Sequence, residues 1–225
     1  MTIAQLLVNS AIKTITRTAC KVDDAALARV PMRGPLILAA NHVNFLDIPL
    51  LYTHLLPRKI YALVKEETWD NPVMGKLFDM WNGIPIKRGE NDMVAFSRAR
   101  QVLAEGHILA ISPEGTRTRT GILQPAHVGL AILAQKSQAP ILPLAIYGGE
   151  VIWDNLHHLE RTAFHIRVGP QLFLKPGIEI TDRQIRQDVA DQVMYQIAAL
   201  LPERYRGVYS DLSRQHLRYF DSAAS

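Results

Sequence analysis

A single cysteine, Cys20, stands in 225 residues. It has no partner for an intramolecular disulfide and is consistent with a reducing compartment. No apolar run approaches the roughly 20 residues needed to cross a bilayer, and no stretch reads as a cleavable signal peptide. The expectation is a cytoplasmic chain that meets a membrane only from its surface. Charge is also sparse, with 25 Lys and Arg against 21 Asp and Glu for a formal +4. That is too weak a bias for nucleic acid, but it is compatible with anionic lipids or phosphorylated substrates. No Gly-x-Ser-x-Gly elbow is present, so no serine nucleophile of that kind is supplied. Internal repeats, low-complexity tracts and linkers are absent too. What remains, 48% hydrophobic and 20% charged, describes one large globular domain with a substantial core.

Against that background the stretch from Asn41 to Asp47 stands out. Leu36–Ala40 is a continuous apolar run entered from the turn signal Arg33-Gly34-Pro35, which reads as a buried strand. His42 therefore lies where a central strand leaves its sheet, where α/β folds expose their chemistry. Asp47 follows five residues later, within reach of the imidazole if the chain between them turns into a helix, and Asn44 is suited to cap that helix. A carboxylate on one ring nitrogen fixes the tautomer and leaves the other nitrogen free to take a proton. The plainer reading of the same residues is a hydrogen-bonded structural pair.

Strands alternate with helical stretches along the rest of the chain, which predicts an α/β layered single domain. Its central sheet should be mixed and largely parallel, flanked by helices. Ile60–Val64, Gly83–Ile86, His107–Ile111, Pro140–Ile146 and Phe164–Val168 read as strands. Ile48–Leu56, Pro72–Met80, Val128–Lys136 and a stretch capped by Asn91 or Asp92 and ending at Gly106 read as helices, and Thr181 opens a last one reaching Leu201. Residues 1–22 are expected to form an amphipathic helix ahead of the domain at 23–225. Ile3, Ala4, Leu7, Val8, Ala11, Ile12, Ile15 and Ala19 share one face, while Gln5, Asn9, Lys13, Thr16 and Arg17 share the other. Such a helix either packs its apolar face on the core or lies in a membrane surface with Lys13 and Arg17 toward headgroups.

Two more polar clusters follow strands: Lys87-Arg88-Gly89 and Glu114-Gly115-Thr116-Arg117. Arg88 offers a fork of donors suited to phosphate, or is simply solvated. Glu114 and Arg117 either shape a site or form a local salt bridge worth little.

Taken in order, these segments resemble the glycerophospholipid acyltransferases of the 1-acylglycerol-3-phosphate type. Four blocks carry the resemblance, between about Leu36 and Gly149: His42 with Asp47; Gly83-Ile84-Pro85-Ile86-Lys87-Arg88-Gly89; Pro113-Glu114-Gly115-Thr116-Arg117; and Ala139-Pro140-Ile141-Leu142-Pro143-Leu144-Ala145-Ile146. Two departures are visible. Ser112 stands where the family commonly has Phe, and Ala126-His127-Val128-Gly129 stands where a Phe-Lys-Lys-Gly-like segment is common. The resemblance implies acyl transfer from an acyl thioester, acyl-CoA or acyl-carrier protein, to a lysophospholipid at a membrane surface, with no further cofactor. It implies His42 as general base and Asp47 as its orienting partner, with no acyl-enzyme. The acceptor side would involve Asn44, Lys87, Arg88, Gly89, Glu114, Gly115, Thr116 and Arg117, with Arg88 on the phosphate. Ile141, Leu142 and Pro143 would support the acyl or thioester end, and amides near Gly115 are candidate oxyanion donors. Rival readings are a thioesterase using water, a zinc site among His42, Asp47, His107 and His127, and a lipid-binding protein without turnover.

Overall fold

The computed structural model describes residues 2–87 and 92–222. Its centre is a nine-stranded mixed sheet. Five strands form the parallel heart: β2 (Leu36–Ala40), β3 (Ile60–Lys65), β4 (Gly83–Ile86), β5 (Ile108–Ile111) and β6 (Ile141–Tyr147). Beyond β6 lies β7 (Thr162–Val168), antiparallel to it, and then β1 (Cys20–Asp23), parallel to β7. The spatial order is β1-β7-β6-β2-β5-β3-β4, with β8 (Leu172–Leu174) antiparallel to β6 and β9 (Phe220–Ser222) antiparallel to β8. The strands foreseen from apolar runs are all present. The three short ones at residues 20–23, 172–174 and 220–222 were not foreseen.

β2 sits between β5 and β6 and is buried along its whole length, so its side chains must find apolar neighbours on both faces. Leu36, Leu38 and Ala40 pack toward α2 (Asp47–His54) and α3 (Pro72–Met80). Ile37 and Ala39 pack on the other side, toward α4 (Met93–Ala104), α5 (Gly129–Ser137) and α7 (Arg183–Leu200). A sixth helix, α6 (Ile152–His157), follows β6 and buries Ile152 on the α2 side. The caps of α4 and α7 were both expected from sequence, and one of them moves. Asp92 accepts the Ala95 amide at the start of α4, and Asn91, the other expected candidate, falls outside the described residues. Asp182, one residue beyond the expected Thr181, caps α7 by accepting from the Gln184 amide.

The N-terminal helix α1 (Ile3–Ala19) is amphipathic as expected, but it packs the other way round. Its buried side chains are Asn9 and Thr16, with Gln5, Ile12 and Lys13 half-buried beside them. Asn9 Oδ1 accepts from the Trp81 indole N–H at 2.8 Å in a buried contact. Ile3, Leu7 and Ile15, all on the apolar face, are 80%, 65% and 66% exposed. The helix also stops at Ala19. Cys20, expected inside it, opens the edge strand β1.

Candidate active site

β2 ends in Asn41, a buried amide that must be hydrogen-bonded where the strand leaves its ladder. Its Nδ2 donates to the Ile146 carbonyl and its Oδ1 accepts from the Ile146 amide, both at 2.8 Å. The side chain thus carries the β2–β6 pairing one step further and lets the backbone at His42 turn away.

Asp47 opens α2 with its side chain 3% exposed, and one oxygen, Oδ2, gathers three donors. His42 Nδ1 lies at 2.8 Å, the Val43 amide at 2.6 Å and the Asn44 amide at 2.9 Å. The turn expected between His42 and Asp47 is therefore wrapped around the carboxylate itself. Because Oδ2 also takes two amides, Nδ1 carries the proton toward it, and Nε2 keeps a lone pair. Asn44 Oδ1 accepts from the Leu46 amide at 2.8 Å, and its Nδ2 donates to the Gly149 carbonyl at 2.6 Å, tying the turn to the end of β6.

The loop after β5 closes on the same turn. The Thr118 amide donates to the His42 carbonyl at 2.9 Å and the Arg119 amide to the Val43 carbonyl at 3.2 Å. Glu114, 2% exposed, accepts from the His42 amide at 3.3 Å and the Gln124 amide at 2.8 Å. Burial pushes its carboxyl from an ordinary 4.5 up to about 7; the Gln124 and His42 amides pull it back, and the Asp47 charge adds to the rise. Both Glu114 oxygens are thus engaged by backbone, and no Glu114–Arg117 ion pair is found among the described residues. Gly115 adopts φ +66°, and a Cβ there would stand 2.8 Å from the His127 ring. Its amide donates to the Ser112 carbonyl at 3.0 Å, which removes it as an oxyanion donor. Thr116 and Arg117 are exposed beside this brace.

The remaining candidates lie elsewhere. Ile141, Leu142 and Pro143 are buried in the first half of β6 beside Ile37, Leu38 and Ala39. They sit three to five positions below the Asn41–Ile146 level, roughly 10–16 Å down the strand, as sheet core away from the base. Lys87 is exposed at the end of β4, with its amide held by Asp92 at 3.0 Å. β4 is three strands from β2, roughly 14 Å across the sheet. Arg88 and Gly89 fall outside the described residues. Asn41, Thr118, Gln124 and Gly149 hold the site together and were not singled out from sequence. The only signal for Asn41 and Gly149 was polarity or glycine just past a strand, and Thr118 and Gln124 lie in the long loop after β5.

A family model described as Acyltransferase matches residues 21–147, more than half of the chain. The chain belongs to the acyltransferase family. The match spans both halves of the site, from β1 through β6. Over 119 residues the chain is 28% identical to a 1-acyl-sn-glycerol-3-phosphate acyltransferase of Bacillus subtilis, covering 53% of this chain and 59% of that one. Over 115 residues it is 33% identical to a lyso-ornithine lipid O-acyltransferase of Pseudomonas aeruginosa, covering 51% and 43%. The chain thus spans about half the length of these curated relatives. In fold it is similar to the crystal structure of the 1-acyl-sn-glycerophosphate acyltransferase PlsC from Thermotoga maritima. The TM-score is 0.60 at 19% identity, over 88% of this chain and 80% of the other.

Proposed function

We propose that the chain transfers a fatty acyl group from an acyl thioester, acyl-CoA or acyl-carrier protein, to the free hydroxyl of 1-acylglycerol-3-phosphate, yielding phosphatidate. The observation that carries this reading is the His42–Asp47 pair at 2.8 Å, held at the carboxyl end of a central strand by the Val43 and Asn44 amides on Asp47 Oδ2. The Bacillus subtilis relative bears the name of that activity.

In this scheme His42 Nε2 takes the proton as the acceptor hydroxyl attacks the thioester carbonyl. Asp47 stabilises the imidazolium that results. The tetrahedral intermediate collapses with loss of the thiolate, which recovers the proton from His42. No covalent enzyme intermediate is formed. Arg117, exposed next to the brace, and Arg88, from the sequence pattern, are the guanidinium groups assigned to the acceptor phosphate.

The reading also takes the reaction to a membrane surface. No helix among the described residues is long and apolar enough to cross a membrane. The exposed apolar face of α1 supports peripheral contact, because a helix that needed that face for its own core would have buried it. Lys21 is exposed just beyond the helix, Arg17 at its end pairs with Asp24 at 2.9 Å, and Lys13 lies half-buried on the domain side. An expected location on the cytoplasmic face follows from the same reading.

A second acceptor class rests on one observation. Ala126-His127-Val128-Gly129 lacks the lysines common in the family, which suits a lysolipid without a phosphate monoester, and the Pseudomonas relative is named for a lyso-ornithine lipid. The deciding experiment incubates purified protein and a labelled acyl thioester with a panel of lysolipids and reads products by mass spectrometry. Phosphatidate is the expected product, and a correctly folded His42→Ala protein should make none. Wild-type turnover by that variant would sink the mechanism.

A further inference from the structure

The exposed apolar side chains are not scattered evenly over this molecule. Apart from those of α1, most belong to segments that leave the carboxyl ends of the parallel strands, the end at which His42 stands. Phe45 follows β2, Met93 and Val94 follow β4, Ile122 follows β5, and Val151 and Trp153 follow β6. Val94 is 81% exposed and Trp153 55%. Phe45 and Trp153 stack with ring centroids 5.4 Å apart and planes 23° apart, and Phe45 lies inside the turn that joins the base to its aspartate. An exposed stacked aromatic pair loses solvation without gaining a core, unless something apolar covers it.

The pair is also connected to α1. Leu156 and Leu159 carry the exposed apolar surface along α6 and just past it. Arg161, two residues beyond Leu159, donates from Nη2 to the Arg17 and Cys20 carbonyls at 2.6 Å each. That ties the end of this surface to the end of α1, and both α1 and α6 pack on the same side of the sheet. Exposed charge on the loop that braces the base is of one kind, while Asp154 beside Trp153 and Glu160 after Leu159 are exposed carboxylates on the patch itself. Arg117 and Arg119 flank Thr118, which holds His42, whereas the carboxylates there, Asp47 and Glu114, are buried. The exposed Glu66 and Glu67 follow β3, two strands away.

We propose that the Phe45–Trp153 pair is a second membrane-contact site beside that of α1. It would seat the mouth of the active site in an anionic phospholipid surface, with Trp153 at the headgroup–acyl boundary, where its ring is apolar and its N–H is wet. Arg117 and Arg119 meet phosphate at that depth, and an acceptor reaches His42 from the bilayer. This rests on the membrane reading of the function above.

The test uses the full chain and vesicles of phosphatidylcholine and phosphatidylglycerol, some with brominated acyl chains. Trp153→Phe identifies the share of emission due to Trp153 among the three tryptophans. That share should shift to the blue and be quenched by bromine, and Trp153→Glu should weaken vesicle partitioning by roughly tenfold, about 1.4 kcal/mol. Sedimentation of the wild-type chain with no change in the Trp153 emission would overturn the second contact and leave the α1 contact standing. Failure to sediment at all would remove the membrane reading itself. A change of oligomeric state by light scattering in Trp153→Glu, with partitioning intact, would make the pair a contact between copies of the chain and refute the proposal.

Discussion

At the scale of single residues, Asp47 and Glu114 divide the work of holding one histidine. Asp47 grips the ring, while Glu114 grips the amide of the same residue. Asp47→Asn should keep the fold but present an N–H or a weaker acceptor to Nδ1, lowering turnover by on the order of 10³–10⁴ through the wrong tautomer. Steady-state kinetics on the folded variant measures this. Glu114→Gln replaces one of two acceptors by a donor that faces a backbone N–H. It should lower kcat by about tenfold or more, since repositioning of the base costs catalysis, while the acceptor KM moves little. A loss confined to acceptor KM would return Glu114 to the acceptor site.

The carboxyl of Glu114 also makes a pH signature. Its folded value of about 7 exceeds its ordinary 4.5, so between those limits the folded chain holds a proton that the unfolded chain has lost. Stability contributed by this group therefore falls as pH rises through that window and is level above it, by at most on the order of 3 kcal/mol. Chemical denaturation from pH 4.5 to 8 should show that slope in the wild type and a flatter one in Glu114→Gln. Arg88→Lys carries the acceptor assignment. It should raise the KM for a phosphate-bearing acceptor by the equivalent of about 1.5–3 kcal/mol and leave the thioester KM nearly unchanged. An equal change in both constants would reject Arg88 as the phosphate ligand.

Among the elements, the strands could be read from sequence because burial on both faces writes a continuous apolar run, as in Leu36–Ala40. β1, β8 and β9 could not, since three or four residues carry too little pattern to separate from loop. The His42–Asp47 pairing was legible because it is local. The Glu114 brace was not, because it depends on amides 72 residues before it and 10 after it. The orientation of α1 was hidden for the same reason. A helical projection separates two faces, but which one the domain takes is settled by Trp81, 72 residues from Asn9. A paired experiment follows. Asn9→Ala strands the buried Trp81 N–H and should cost about 1–3 kcal/mol of stability in chemical denaturation. Leu7→Gln and Ile15→Gln, on exposed positions, should stay within about 0.5 kcal/mol of wild type yet weaken sedimentation with anionic vesicles. If the two glutamine variants unfolded the protein and Asn9→Ala did not, the packing of α1 described above would be refuted.

For the molecule as a whole, function is concentrated at one end of a largely parallel sheet, where the turn after β2, the loop after β5 and the end of β6 converge on His42. The other end is sheet core, where the fourth sequence block begins with Ile141, Leu142 and Pro143, while its last residue, Ile146, meets Asn41 at the site. The topology has a further consequence, in time instead of space. Cys20 pairs with Thr162 across 142 positions of chain, so β1 has no neighbouring strand until β7 exists. On a ribosome, α1 would emerge well before β7, and β1 would close the sheet late, after most of the domain had been made. During that interval α1 is a helix with an open apolar side, tethered to a growing chain. A lipid surface encountered then would hold the nascent protein in place before its catalytic turn had formed.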